Sequence, residues 1–289
     1  MKKTYPLWFA CGALILYFML YFLPGLIGIG YSLTDWNSFS DELNFVGLAN
    51  FFNIFQDNTP YWSYIQNTLW FTVVTTLAKT VLGFCLALLF TRKIRFVNFQ
   101  RLVIFMPQVL SFLIVGLVFR GLLHPSTGFI NTSLDWLGLG VLKQDWLMSM
   151  QWAFNSVMAV DTWKGVGYIM VVFIAGLQSI PDYYHEAAII DGASYFQRVR
   201  HIVIPMLIPA LLVVTVLNIT YGFRVFDIIY VLTNGGPGYA TGVMNTAVFK
   251  EFSKGNFAMG TTLSTILFLF IALISYFIIK PLNAKTVEA

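Results

Sequence analysis

Apolar residues in this chain neither alternate nor mark out one helical face. They run almost unbroken for about twenty residues at a time, with polar and turn residues collected between the runs. A helix needs about 20 such residues to cross about 30 Å of hydrocarbon. The runs near Leu7–Ile29, Thr68–Phe90, Leu102–Leu123, Phe154–Leu177, Val203–Phe223 and Thr261–Ile279 therefore predict an all-α membrane protein with six transmembrane helices. The first run follows Met1-Lys2-Lys3, but it is too long for the core of a signal peptide and no small-residue cleavage pattern follows it, so it reads as a retained helix.

Composition agrees with that pattern. Of 289 residues, 58% are hydrophobic and 10% charged, whereas a soluble domain carries about 25% charged residues. Placing the basic residues gives an orientation. Lys2, Lys3, Arg92, Lys93, Arg95, Arg101, Arg198, Arg200, Lys280 and Lys285 fall on the side of the termini, against Lys143, Arg224, Lys250 and Lys254 opposite. The positive-inside tendency thus puts both termini in the cytoplasm. Lys79, Arg120 and Lys164 fall within or at the ends of spans, and Arg120 reads as a side chain snorkelling from a helix end. Trp36, Tyr61, Trp62, Trp136 and Trp146 on the outward side read as interfacial anchors.

Several chemistries are excluded. Cys11 and Cys85 lie in apolar runs and offer neither a disulfide framework nor a zinc site. His124, His185 and His201 are scattered, so no metal site is expected. No Gly-Lys dipeptide occurs, so there is no phosphate-cradling P-loop, and any use of ATP has to come through a partner. No nucleic-acid partner is expected, and no nucleophile elbow suggests an embedded enzyme. No internal repeat or inserted soluble domain breaks residues 1–289, which read as one membrane domain: an N-terminal helix at 7–29, a core at about 68–280 and, within it, a loop at 179–205.

That loop, between the fourth and fifth runs, carries the densest local signals. Ser179 with Asp182, and Ser194 with Gln197, both have capping-box spacing, so each pair predicts a helix start. Gly192 suits the left-handed residue that ends a helix, and Pro205 falls where the second short helix meets the next span. The prediction is a helix-turn-helix on the cytoplasmic face. In its first helix, Ala187 and Ala188 leave a low surface beside the carboxylates of Glu186 and Asp191. This surface suits a knob that enters a partner's groove, and equally an amphipathic connector resting on lipid headgroups.

Ionisable residues inside a membrane are costly and are functional candidates by default. In the fourth run, Asp161 and Lys164 are three apart and share a helical face. Trp163 and Tyr168 add aromatic faces, and Gly165 and Gly167 remove bulk. Flat apolar surface with charged groups is what sugar recognition needs. The same residues also fit an internal ion pair that packs the bundle, with Trp163 and Tyr168 facing lipid. Lys79 suits either a pair with Asp161 or a water-filled cavity.

Glu186-Ala-Ala-Ile-Ile-Asp-Gly-Ala193, followed by Gln197, Ile202 and Ile204-Pro205, resembles the EAA loop of binding-protein-dependent ABC importer permeases. Phe45-Val-Gly-Leu-Ala-Asn-Phe51, Ala175-Gly-Leu-Gln-Ser-Ile-Pro181 and the stretch from Phe226 through Thr233-Asn-Gly-Gly-Pro-Gly238 extend the resemblance over most of the chain. It is similar to the carbohydrate importers of the maltose, glycerol-phosphate and lactose type, first-permease subtype. Val199 stands where that family usually has an aromatic residue, and the large periplasmic insertion of maltose-type permeases is missing.

The resemblance implies a sugar importer in a bacterial cytoplasmic membrane that works by alternating access. Glu186, Ala187, Ala188, Asp191 and Gly192 would couple it to a nucleotide-binding ATPase dimer. ATP and Mg would bind that partner, with no cofactor on this chain and no catalytic residue. A second homologous permease and an extracytoplasmic sugar-binding protein complete the implied assembly, and the Asn234–Gly238 turn would lie where that protein docks. Trp163, Gly165 and Tyr168 match the family's sugar-contact stretch, and Asn218 and Tyr221, three apart on the fifth run, join them at corresponding depth. The competing reading is a stand-alone secondary transporter or channel. Such a carrier has no use for a capped cytoplasmic knob and more often shows broken helices at matching positions in two halves.

Overall fold

The structure is a computed structural model that describes residues 7–56, 59–92 and 95–286. Lys2, Lys3 and Lys93 of the orientation argument lie outside the described residues. Among those described, the secondary structure is helical, with an isolated bridge between Thr34 and Phe45. The principal helices are α1 (Trp8–Tyr31), α2 (Ala49–Ile54), α3 (Tyr61–Phe90), α4 (Val97–Val109), α5 (Phe112–Leu122), α6 (Phe129–Trp136), α7 (Ala153–Gln178), α8 (Asp182–Ile190), α9 (Tyr195–Met206), α10 (Ile208–Phe223), α11 (Asp227–Thr233), α12 (Met244–Ser253) and α13 (Phe257–Thr286).

Among the described residues, four helices are long and apolar enough to cross a membrane: α1, α3, α7 and α13, the last through Ile274. Two further predicted spans are not straight. The run at Leu102–Leu123 divides into α4 and α5, which meet at 99°. Pro107 lies inside α4, Leu110 turns extended (ψ 142°), and Ser111 caps α5 by accepting from the Ile114 N–H. Proline withdraws a donor from the ladder and the serine starts a new one. The fifth run likewise bends by 66° at Leu207, between α9 and α10.

The chain falls into two compact units. One joins the N-terminal part, to Trp62, with Met244–Leu273. In it, Trp36 packs between Tyr31 (4.2 Å) and Phe257 (4.6 Å), and the buried Thr262 hydroxyl donates to Ser32 O and Ala258 O. Trp36 is thus a half-buried packing residue.

The other unit comprises Ser63–Val243 with the chain from Ile274 on. Its core follows α7, the most buried of the long helices: α4 and α10 pack against it, and α11 packs against α5. Phe71, Val157, Val160, Ile228 and Ile229 form one buried cluster, and Ala87, Ile169, Met170, Phe173 and Val214 another. Trp146, expected as an anchor, donates through Nε1 to the buried Asn131 (2.8 Å), while Trp136 stays 86% exposed.

Two close approaches set the helix spacing here. A Cβ on Gly167 would lie 2.2 Å from Ile104 O of α4, and one on Gly222 of α10 would lie 2.7 Å from Thr72 Oγ1 of α3. Small residues at such crossings let backbones approach in a membrane. Along the buried face of α3, the Thr68, Thr72 and Thr75 hydroxyls donate to carbonyls four residues back, on their own helix.

Candidate functional site

Three helices bring the intramembrane charges together. Lys79 of α3 places Nζ 2.6 Å from Asp161 Oδ2 of α7, and the Tyr221 hydroxyl of α10 donates to Asp161 Oδ1 at 2.5 Å. Lys79 and Asp161 are 3% and 1% exposed. Both places open to Lys79 in the sequence are realised, since it pairs with Asp161 and lines a cavity. Its ammonium also lies 4.4 Å from the centre of the Tyr221 ring, within cation–π range.

These groups line a cavity of about 260 Å³ with Gln108, Phe112, Lys164, Gly165, Tyr168, Ile169, Leu217 and Asn218. Asp161, Lys164, Gly165, Tyr168, Asn218 and Tyr221 therefore share one cavity. Lys164 is not paired with Asp161: its Nζ donates to Gln108 O (3.2 Å) and sits 4.1 Å from the Phe112 ring centre. Asn218 is 6% exposed, and its Nδ2 has no hydrogen-bond partner among the described residues. A buried amide with unused donors is costly unless something meets it.

Trp163 does not join the lining. It is 44% exposed and packs edge-to-face on Phe119 at 5.0 Å. Gln108 and Phe112 were not singled out in the sequence because they flank the break inside an apparently continuous run. The signal that could have found them is Pro107 followed four residues later by Ser111, a stop and a start within one run.

The loop after α7 forms the expected pair of helices around a turn, with one correction. Ser179 does not cap α8: its hydroxyl donates back to Gly176 O (2.7 Å), and Pro181 occupies the N-cap. Ser179 closes the preceding helix because Pro181 forces an extended residue before α8 can start. The second box is complete, with Ser194 Oγ accepting from the Gln197 N–H and Gln197 Oε1 accepting from the Ser194 N–H. Between the two helices, Gly192 is left-handed (φ 78°), Ala193 N–H bonds to Ala188 O and Gly192 N–H to Ile189 O. These two bonds make a Schellman stop.

None of the α8 residues is buried, Glu186 and Asp191 are exposed, and Tyr183, Ile189, Ile190 and Phe196 show 59%, 57%, 86% and 71% of their surface. The hydrogen bond with Tyr184 holds the Tyr183 phenol above its ordinary pKa. Arg92, at the end of α3, lies 4.4 Å from the Tyr195 ring centre. Val199 is buried in α9 (8% exposed). The Asn234–Gly238 stretch is a turn as expected, with Asn234, Gly235 and Gly238 left-handed after α11.

A helical bundle with apolar spans, a polar cavity within it and an exposed capped hairpin defines a membrane transport component. Residues 79–287 match the family described as binding-protein-dependent transport system inner membrane component, and the chain belongs to that family. A probable ABC transporter permease of Pyrococcus horikoshii is 35% identical over 266 residues, covering 88% of this chain and 91% of that one. A probable permease of a starch degradation products transport system, AmyD of Thermoanaerobacterium thermosulfurigenes, is 34% identical, covering 92% and 89%. Among solved structures, a chain of a bacterial alginate ABC transporter superposes with a TM-score of 0.81 over 94% of this chain and 92% of that one; at 23% identity this is a likeness of fold.

Proposed function

We propose that this chain is the transmembrane subunit of an ATP-driven importer that carries a sugar or oligosaccharide across the bacterial cytoplasmic membrane by alternating access. Permeases named for sugar transport, more than 30% identical over most of their length, support the substrate class. Family membership also argues against a carrier acting alone.

The observation that carries the coupling is α8, capped at its end by Gly192 and without a single buried residue. A helix of nine residues with none buried is too short to hold its shape by propensity, and it makes physical sense as a knob seated in a partner. In this reading Glu186, Ala187, Ala188, Asp191 and Gly192 sit in a groove of a nucleotide-binding ATPase dimer, which binds ATP and Mg. Each bent helix pair counts as one span, giving six spans with both termini cytoplasmic. A second homologous permease faces this one, and an extracytoplasmic binding protein delivers the sugar. The sugar rests in the cavity among Tyr168, Asn218, Gly165 and Gln108, where an aromatic face lines the space and Asn218 Nδ2, a buried donor without a partner among the described residues, lies in the wall.

The test is uptake by cells carrying the complete importer, with co-purification of the ATPase as the second measure. Glu186→Ala should lower uptake at least tenfold and weaken ATPase retention. Normal uptake and retention in that variant would remove the coupling role.

A further inference from the structure

Lys164 poses a physical problem. It is 3% exposed, and among the described residues no carboxylate pairs with it, because Asp161 is taken by Lys79 and Tyr221. A buried ammonium left bare would have shed its charge or moved to water.

What it touches instead is the break between α4 and α5. The last four carbonyls of a helix have no intrahelical donor, and its C-terminal end carries about half a negative charge. In α4, the Leu110 N–H answers Pro107 O (3.3 Å), and Lys164 Nζ answers the next carbonyl, Gln108 O (3.2 Å). Past the 99° turn, the first residue of α5, Phe112, presents its ring to the same ammonium at 4.1 Å. One cation therefore contacts both sides of the break, and it arrives from α7, the helix against which α4 packs.

We infer that Lys164 is a positioning residue that pins the α4–α5 break by capping the end of α4 with a cation carried on α7. The broken backbone lines the cavity through Gln108 and Phe112. Non-helical backbone at membrane depth is tolerated where it lines a cavity and its polar groups are met, and Lys164 meets one of them. Carbonyl, helix end and aromatic face supply the direct contacts that a paired carboxylate would, beside the more distant charge of Asp161. The assignment goes beyond sugar import and holds for whatever solute passes.

The sign of a stability change tests it. The permease complex is purified in detergent without sugar and its unfolding midpoint measured for Lys164→Arg, Lys164→Gln and Lys164→Met. Arginine keeps the charge and the aromatic contact, glutamine keeps only a neutral donor, and methionine keeps neither. The expected order of midpoints is Lys and Arg highest, Gln several degrees lower and Met lowest. The Met effect should shrink in a Phe112→Leu background, because part of the contact is already gone. Uptake through Lys164→Met should fall by a similar factor for neutral and for acidic sugars, with Lys164→Arg restoring it.

A midpoint that stays level or rises in Lys164→Met would mean that the ammonium was an uncompensated burden, and would overturn the assignment. A selective loss of acidic sugars would overturn it in favour of a direct ligand. Should the Met variant not assemble, the Arg and Gln variants still decide, since Gln equalling or exceeding Arg contradicts the pin. None of these stability outcomes depends on whether the solute is a sugar, so the transport reading can fail while the pin stands, or the reverse.

Discussion

Lys79 and Asp161 form a salt bridge at 2.6 Å with 4% and 1% of their side-chain surfaces exposed, joining α3 to α7 at the edge of the cavity. Breaking such a pair by removing one partner costs about 3–5 kcal/mol, because the other charge stays buried and bare. Lys79→Met should therefore lower the unfolding midpoint of the purified complex sharply. Lys79→Met combined with Asp161→Asn should recover at least half of that loss, since asparagine can still accept from Tyr221. A double variant no better than the single would show that the pair is not what holds these helices.

Gly192 stands at φ 78° with open space where a Cβ would go. The cost of a side chain there is conformational, about 1–2 kcal/mol, and not steric. Gly192→Val should therefore loosen the turn and reduce uptake several-fold while the cavity is untouched, and binding of solute to the purified complex should stay as in the wild type. Uptake at wild-type level would mean that the end of α8 need not be fixed.

Asn218 Nδ2 is a buried donor with no partner among the described residues. Asn218→Leu removes that donor and so should leave the unfolding midpoint level or slightly raised. If the donor serves the solute, uptake should drop at least tenfold in the same variant. Unchanged uptake would take Asn218 out of the binding set.

Trp163 and Tyr168 lie on the same helix, yet only Tyr168 lines the cavity. Tyr168→Phe should change the half-saturation concentration for uptake, whereas Trp163→Phe, which keeps the packing on Phe119, should not. The reverse result would place the solute outside the observed cavity.

Much of this arrangement is legible in the sequence because membrane solvent makes the pattern plain. Apolar runs placed both ends of α7 and the end of α3 to within one residue, but missed seven residues at the start of α3, four at the start of α13 and seven at its end. Scarcity of charge made Asp161 and Lys164 stand out. What the runs hid was backbone geometry inside them: the 99° break is as apolar as a straight helix, so only Pro107 and Ser111 mark it. Partner choice was equally hidden. Spacing of three suggested that Asp161 and Lys164 belong together, but Lys79 and Tyr221, distant in sequence, met the carboxylate first. The two Ser-x-x-Asp/Gln signals were alike on paper, and Pro181 made one of them fail.

The threonine face of α3 bears on motion. Thr72 and Thr75 give their hydroxyl protons to their own helix, and Thr72 is met by Gly222 of α10 at a distance that leaves no room for a side chain. A hydrogen bond to a neighbouring helix has one register. A hydroxyl turned back on its own backbone has none, so sliding past Thr72 and Thr75 ruptures no hydrogen bond donated by these two hydroxyls. At the level of Thr72, α3 and α10 therefore meet without a hydrogen bond from these two hydroxyls, and what a shear of packed helices would have to break is the network of Lys79, Asp161 and Tyr221 farther along α3.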